Sequence, residues 1–232
     1  MITNEVDVLT ALVPLGTGLD IIELGCGNAR LLTELLQRCP GCNALALEVD
    51  AVQHAKNLAR QPDDLKPRLR FVQASATAIP AEDQRFDLAL MLKSLHHIPQ
   101  DAMPSALAQT WRVLRPGGWL YVSEPVYDGA LNAIVKLYND EGLVRAAAQA
   151  ALDQALQTGQ WEQVAERRFD MQAHFPNWES FAQRMLYPSF ADHHITDALR
   201  HQVKAAFDPH CGTQGASFTR PMHVRLLRRQ PG

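Results

Sequence analysis

Along residues 20–124, short apolar runs alternate with stretches whose apolar positions recur at helical spacing, the pattern of a parallel sheet wrapped by helices. Asp20-Ile21-Ile22-Glu23-Leu24 reads as a compact buried strand. After Gly25-Cys26-Gly27 comes a helix with Leu31, Leu32, Leu35 and Leu36 on one face. Ala44–Glu48, Leu69–Gln73 and Phe86–Leu92 read as the second to fourth strands, the last almost wholly apolar, as a strand between two helical layers should be. Helices are expected over Val52–Arg60 and Asp101–Leu114; Arg115-Pro116-Gly117-Gly118 stops the latter, and Trp119–Glu124 resumes as a fifth strand. The pattern then changes. Residues 130–158 are alanine-rich and helical with no strand of their own to cross back to, so they read as an inserted helical cap. A sixth strand is expected over Phe169–Phe175, helices over Asn177–Met185 and Thr196–Phe207, and a final strand over Phe218–Leu227. The expected division is a core over 1–128, a cap region holding the sixth strand over 129–210, and a strand returning to the core over 211–232.

Composition narrows the function classes. With 232 residues, 47% of them hydrophobic, the chain can bury the core of one globular domain. There is no run of 18 apolar residues, and acidic residues flank the start, so neither a membrane span nor a secretory signal is expected and a cytoplasmic location follows. Residues 1–129 carry 11 basic and 15 acidic side chains and residues 130–232 carry 11 and 10, which argues against a surface that tracks nucleic-acid phosphates. Cys26, Cys39, Cys42 and Cys211 are too irregularly spaced for a disulfide framework; Cys39-Pro40-Gly41-Cys42 has no second CxxC to complete a zinc site and reads as a turn. No HxH or HExxH spacing appears among the histidines, so no metal site is expected. Arg225, Arg228 and Arg229 read as a short basic tail solvating a strand end.

The chemistry concentrates where the first strand meets its helix. In Glu23-Leu24-Gly25-Cys26-Gly27-Asn28-Ala29 the glycines let the backbone turn tightly and approach a ligand at a helix N-terminus. Glu48 closes the second strand 23 residues after Gly25, at the spacing where a carboxylate can accept from ribose hydroxyls. A dinucleotide site wants GxGxxG, and here the last glycine is missing.

The string ELGCGNA instead resembles the first motif of class I S-adenosylmethionine-dependent methyltransferases. The resemblance continues at Ala46-Leu47-Glu48-Val49-Asp50, at Ala74 to Pro80, from Arg85-Phe86-Asp87 through Leu95-His96-His97-Ile98-Pro99, and at Val113 to Gly118. It implies an α/β, Rossmann-like, seven-stranded and mostly parallel sheet with helices on both faces, to which the cap is added. It also implies S-adenosyl-L-methionine as cofactor and S-adenosyl-L-homocysteine as product. Carried over position by position, Glu23 and the Gly25-Cys26-Gly27 backbone face the methionine part, Glu48 takes the ribose, Val49 packs on the adenine, Ser75 and Ala76 lie at the adenine edge, and Leu92 completes the cofactor-binding set. The family usually has Asp where Ser75 stands, so the adenine amino group meets a weaker acceptor here.

Methyl transfer from a sulfonium is an in-line displacement, for which alignment and exclusion of water matter most. Bases that could relieve an acceptor of its proton belong at the C-terminal edge of the sheet. His97, Glu124 and Tyr127 are the candidates there, with His96 read as structural. Lys93, His174, Tyr187, Arg220 and His223 read as ordinary surface or packing residues. A cap that can enclose its ligand points to a small-molecule acceptor and to a monomer or homodimer without nucleic acid or membrane partners. An RNA or protein methyltransferase, and a non-catalytic methyltransferase-like partner subunit, are the alternatives.

Overall fold

The computed structural model describes residues 2–16 and 18–231. Its strands are β1 (Asp20–Leu24), β2 (Asn43–Glu48), β3 (Leu69–Gln73), β4 (Phe86–Leu92), β5 (Leu114–Pro125), β6 (Trp161–Phe175), the two-residue β7 (Cys211–Gly212) and β8 (Gly215–Arg229). Its helices are α1 (Glu5–Leu12), α2 (Arg30–Arg38), α3 (Ala51–Arg60), α4 (Met103–Val113), α5 (Ala130–Val135), α6 (Gly142–Gln157), α7 (Trp178–Phe181), continued by a π-turn to Leu186, and α8 (Asp197–Phe207). The sheet runs β3-β2-β1-β4-β5-β8-β6. β3 through β5 pair in parallel, and β8 alone runs antiparallel to both neighbours on that path. The expected seven strands are thus present, and β7 adds a short eighth by pairing with β8.

Burial explains the layering. Ile21 and Ile22 are successive and both fully buried, possible only where each face of β1 is covered. On one face the α2 leucines pack with Val6 and Leu9 of α1 and with Tyr121, Val224 and Leu226. On the other, Met103, Leu107 and Val113 of α4 pack with Ala148, Ala151 and Leu152 of α6 against Ile22, Ala89 and Val122.

That second layer corrects the expected cap. α6 is not an insertion but a crossover helix, burying its alanine stripe on the sheet between β5 and β6 and then feeding β6, which begins at Trp161, eight residues before the expected start. What remains as a cap is built differently. β6 and β8 are 15 residues each, and their pairing runs six residue pairs past the end of β5, from Asp170 opposite Pro221 to Phe175 opposite Ala216. At about 3.3 Å per residue this hairpin projects roughly 20 Å beyond the sheet edge. A third core forms around its tip, where Phe175 and Phe218 pack with Leu131 and Ile134 of α5, Trp178 and Phe181 of α7 and Phe207 of α8.

The basic tail is also corrected. Arg225 and Arg229 are buried, the first paired with Asp153 at 2.8 Å, the second lying 3.8 Å over the Trp111 ring and donating to the Leu114 carbonyl, because β8 is an interior strand rather than a fraying end. Cys39 to Cys42 is a turn closed by the Cys42 amide on the Cys39 carbonyl at 3.1 Å.

Candidate active site at the C-terminal edge of the sheet

The glycine turn between β1 and α2 is held from three sides. The Gly25 and Cys26 amides both donate to the Leu47 carbonyl, at 3.0 and 2.9 Å. The Asn57 side chain of α3 donates to the Gly27 carbonyl at 2.7 Å. Glu48 accepts from the Gly27 amide at 2.8 Å through one oxygen and from the Asp50 amide at 2.9 Å through the other. Each carboxylate oxygen has two lone pairs, so Glu48 keeps acceptor capacity on the side away from the loop. Gly25 has φ +72°, and a Cβ there would stand 2.8 Å from Cβ of Ser94, so a tight fit as well as the backbone angle requires glycine. Gly27 has φ +52°, but a Cβ on it would meet nothing within 4 Å. Its side of the loop therefore opens on free space, as a ligand cradle must.

Glu23, at 3% exposure, has an oxygen with no hydrogen-bond partner. Burial, reinforced by the nearby Glu5 and Glu48 and opposed by Lys93, pushes its pKa up to about 8. Glu5, fully buried on α1, also has an unpartnered oxygen, while its other oxygen lies 3.4 Å from Lys93 Nζ. Lys93, read from the sequence as a surface lysine, thus points into the site, and Glu5 is a site residue that the sequence did not disclose. Two buried carboxyl groups, each with one unpartnered oxygen, thus lie beside the glycine turn, an arrangement that can receive an ammonium group. Val49 is 65% exposed at the end of β2, free to cover an aromatic ligand. Ser75 turns back on its own segment, sharing a 2.8 Å hydrogen bond with the Thr77 hydroxyl and accepting from the Thr77 amide, and Ala76 is half-buried beside it. Cys26 is buried, with its thiol pushed up by that burial and by Glu23, and Leu92 is buried at the end of β4.

The candidate bases fare differently. Glu124 is buried, accepts from the Leu95 amide at 2.9 Å through one oxygen and bonds the Nδ1 of His96 through the other, which ties it to the turn after β4. Tyr127 donates to Asp140 at 2.5 Å with the Lys136 ammonium 5.3 Å over its ring, pinning the β5–α5 loop to the start of α6. Both candidates are thus hydrogen-bonded into neighbouring elements, Glu124 to the turn after β4 and Tyr127 to the residue pair before α6. His97 is the candidate left at the rim. It stacks 4.0 Å from His96 and 5.4 Å from Phe190, and loss of hydration, aided by His96, draws its pKa down to about 4. It is therefore a neutral imidazole at physiological pH.

The segment 187–196 crosses over this edge. The Ser189 hydroxyl donates to Asp50 beyond β2, and Phe190 reaches His97 beyond β4, so the segment bridges the loops that follow these two strands. The structure also gathers His96, His97 and Glu141 so that ligating atoms lie within 4.8 Å, a cluster that spacing along the chain did not reveal. Glu141 is already gripped by the Arg145 guanidinium at 2.5 and 3.1 Å, and His96 by Glu124, so hydrogen bonding rather than a cation balances these groups.

Residues 21–118 match the profile of a family described as methyltransferase domain. Over this segment the chain is similar to methyltransferase domains. The chain is 35% identical over 117 residues to trans-aconitate 2-methyltransferase of Deinococcus radiodurans, covering 50% of this chain and 42% of that protein. It is 32% identical over 126 residues to 27-O-demethylrifamycin SV methyltransferase of Amycolatopsis mediterranei, covering 53% and 44%. The chain thus spans less than half the length of these curated relatives. The YcgJ protein of Bacillus shares its fold, with a TM-score of 0.67 over 98% of both chains at 14% identity. No helix among the described residues is long and apolar enough to cross a membrane.

Proposed function

We propose that this methyltransferase domain binds S-adenosylmethionine and, with the cap, transfers its methyl group to a small-molecule acceptor. The observation that carries the reading is the cradle itself: a positive-φ turn opening on free space at Gly27, braced by a Glu48 with spare lone pairs and flanked by the buried carboxyl groups of Glu23 and Glu5, each with one unpartnered oxygen. These groups fit the cofactor's functional groups one by one. Glu48 would accept from the ribose hydroxyls, the amides at the start of α2 would face the methionine carboxylate, Glu23 and Glu5 would take the ammonium, and Val49 would cover the adenine, with Ser75 and Ala76 at its edge. When bound, the cofactor supplies a methyl group already activated by the sulfonium.

The chain's own part is alignment and dryness. Leu92 and the neutral His97 line the methyl end, and Phe190 with Ser189 closes the segment 187–196 over it. A base with a pKa near 4 does little to ionise a hydroxyl at neutral pH, so the arrangement suits acceptors whose nucleophilic atom is already free, such as a carboxylate oxygen or an unprotonated nitrogen. The cap, made of α5, the β6–β8 hairpin tip, α7 and α8, favours a small acceptor; the relatives named for trans-aconitate and a rifamycin support the same class. Residues 1–128 with α6, β6 and β8 form the catalytic core, and the rest of 129–210 forms the acceptor lid.

The test is a calorimetric titration of the purified protein with S-adenosylhomocysteine, with NAD as control. Saturable one-to-one binding of S-adenosylhomocysteine alone is expected. Binding of NAD alone, or of neither ligand, would overturn the reading.

A further inference from the structure

Arg220 stands out by what it lacks. It lies on β8 opposite Met171 of β6, two residues outward from Met222, which pairs with Pro125 at the very end of β5. By strand alternation it shares a face with Phe218 of the cap core and Met222 of the sheet core, so it sits at the junction of the two, under the cap and beyond the C-terminal edge. Other arginines nearby are engaged. Arg145 grips Glu141, Arg225 pairs with Asp153, and Arg184 donates to the His174 carbonyl while covering the Phe175 ring at 4.8 Å. Among the described residues Arg220 has neither a hydrogen bond nor an ion pair, although burial and its fellow cations Arg145 and Arg184 all disfavour its charge. Glu141, the one carboxylate that favours it, is spent on Arg145.

Two more polar atoms beside it are likewise unsatisfied. The Tyr138 hydroxyl, which feels the charges of Arg220 and Glu141, is buried with no partner. Its ring lies 5.3 Å from that of His193, whose Nδ1 is also buried and unpartnered. His193 belongs to the segment that carries Phe190 to His97, and Glu141 approaches His96 Nε2 to 4.0 Å. The unsatisfied groups therefore gather where the β6–β8 hairpin, the residues before α6 and the segment 187–196 meet, next to the His96–His97 turn. A guanidinium, a phenol hydroxyl and an imidazole, with an uncompensated positive charge, are the complement of an oxyanion.

We propose that Arg220, Tyr138 and His193 form the subsite that holds a carboxylate of the methyl acceptor. The proposal rests on the methyltransferase reading for the word acceptor and adds its chemical class. Arg220 is a binding residue in this account, fixing the acceptor by a bidentate pair while another atom of the acceptor faces the methyl group. One half-buried cation without an ion-pair partner matches a carboxylate monoanion better than a phosphate dianion.

The experiment uses ligand-observed NMR on the full chain, with glutarate and benzoate as probes, glutaramide and benzamide as uncharged isosteres, and inorganic phosphate as competitor, with and without S-adenosylhomocysteine. Wild type should bind the carboxylates at least tenfold more tightly than the amides. Arg220→Gln should lose at least tenfold of that binding, Tyr138→Phe should lose several-fold, and Arg220→Lys should keep part of it. S-adenosylhomocysteine affinity should stay within about twofold throughout. Because an unpaired recessed cation helps no fold, Arg220→Met should melt no lower than wild type. Equal binding of acids and amides, undiminished acid binding by Arg220→Gln, preference for phosphate, or a marked drop in melting temperature for both Arg220 variants would each overturn the assignment. Arg220-dependent carboxylate binding in a protein that ignores S-adenosylhomocysteine would sink the methyltransferase reading and leave the subsite standing; the converse would sink the subsite alone.

Discussion

Replacing Glu23 by glutamine should stabilise the free protein while weakening its cofactor site, and the size of the effect follows from the carboxyl's surroundings. Glu23 is buried with one oxygen unpartnered, and its pKa rises from 4.5 to about 8, chiefly through burial, then through Glu5 and Glu48, against the pull of Lys93. A carboxyl with a raised folded-state pKa contributes fully to stability below its unfolded value, and the contribution is lost as pH climbs through the folded one. Stability tied to Glu23 is therefore intact near pH 4.5 and drains away up to about pH 8. At about 1.36 kcal/mol per pH unit, that interval sets an upper bound on the order of 5 kcal/mol. Glutamine stays neutral throughout, so Glu23→Gln should gain on wild type as pH rises. With about 2–4 °C per kcal/mol for a chain of this size, the two melting temperatures should separate by several degrees between pH 5 and pH 8. Thermal melts followed by circular dichroism across that range read this directly. The same variant should bind S-adenosylhomocysteine more weakly at pH 8, where about half of the wild-type carboxyl is ionised and the ammonium can draw the rest into the ionised form. Parallel melting curves, or unchanged affinity, would refute the assignment of Glu23 as an ammonium receptor.

Three further outcomes follow from other contacts. Gly27→Ala should fold with a penalty of about 1 kcal/mol yet lose cofactor binding, because its Cβ enters the free space, whereas Gly25→Ala should lose stability as well through the Ser94 contact; melting and calorimetry on both variants separate the two roles. Removing Glu124 leaves His96 and the Leu95 amide buried without their acceptor, so Glu124→Ala should cost about 3–5 kcal/mol by denaturant unfolding. Because His97 is neutral above a pKa of about 4, the rate of methyl transfer should show no His97 inflection between pH 6 and pH 8, and an inflection abolished by His97→Asn would contradict the account.

The sheet was readable because each parallel strand is buried on both faces and its apolar run shows it: the bounds of β1, β3 and β4 coincide with those read from the chain. The position of Glu48 at the end of β2, against the glycine turn, was equally plain, since it depends on local geometry at the end of a strand. The cap was misjudged for a physical reason. An alanine-rich helix such as α6 has little amphipathic contrast, and nothing in it says that its small residues lie against a sheet rather than over a pocket. Glu5 and Arg220 were hidden for another. Each is a single charge in an ordinary element, and only long-range packing, of α1 beside β1 and of β8 beside β6, reveals that Glu5 is buried with one oxygen unpartnered and that Arg220 has no ion pair among the described residues. Glu124 and Tyr127 sit at the right edge, but sequence order could not disclose that the neighbouring turn and α6 already claim them.

The most direct test of the central claim is a crystal structure of the protein with S-adenosylhomocysteine. The account requires the ribose hydroxyls on Glu48, the amino-acid end against the Gly25 to Gly27 turn and Glu23, and the sulfur facing the chamber between His97 and Arg220. Density for the ligand elsewhere, or a ribose with no contact to Glu48, would contradict it.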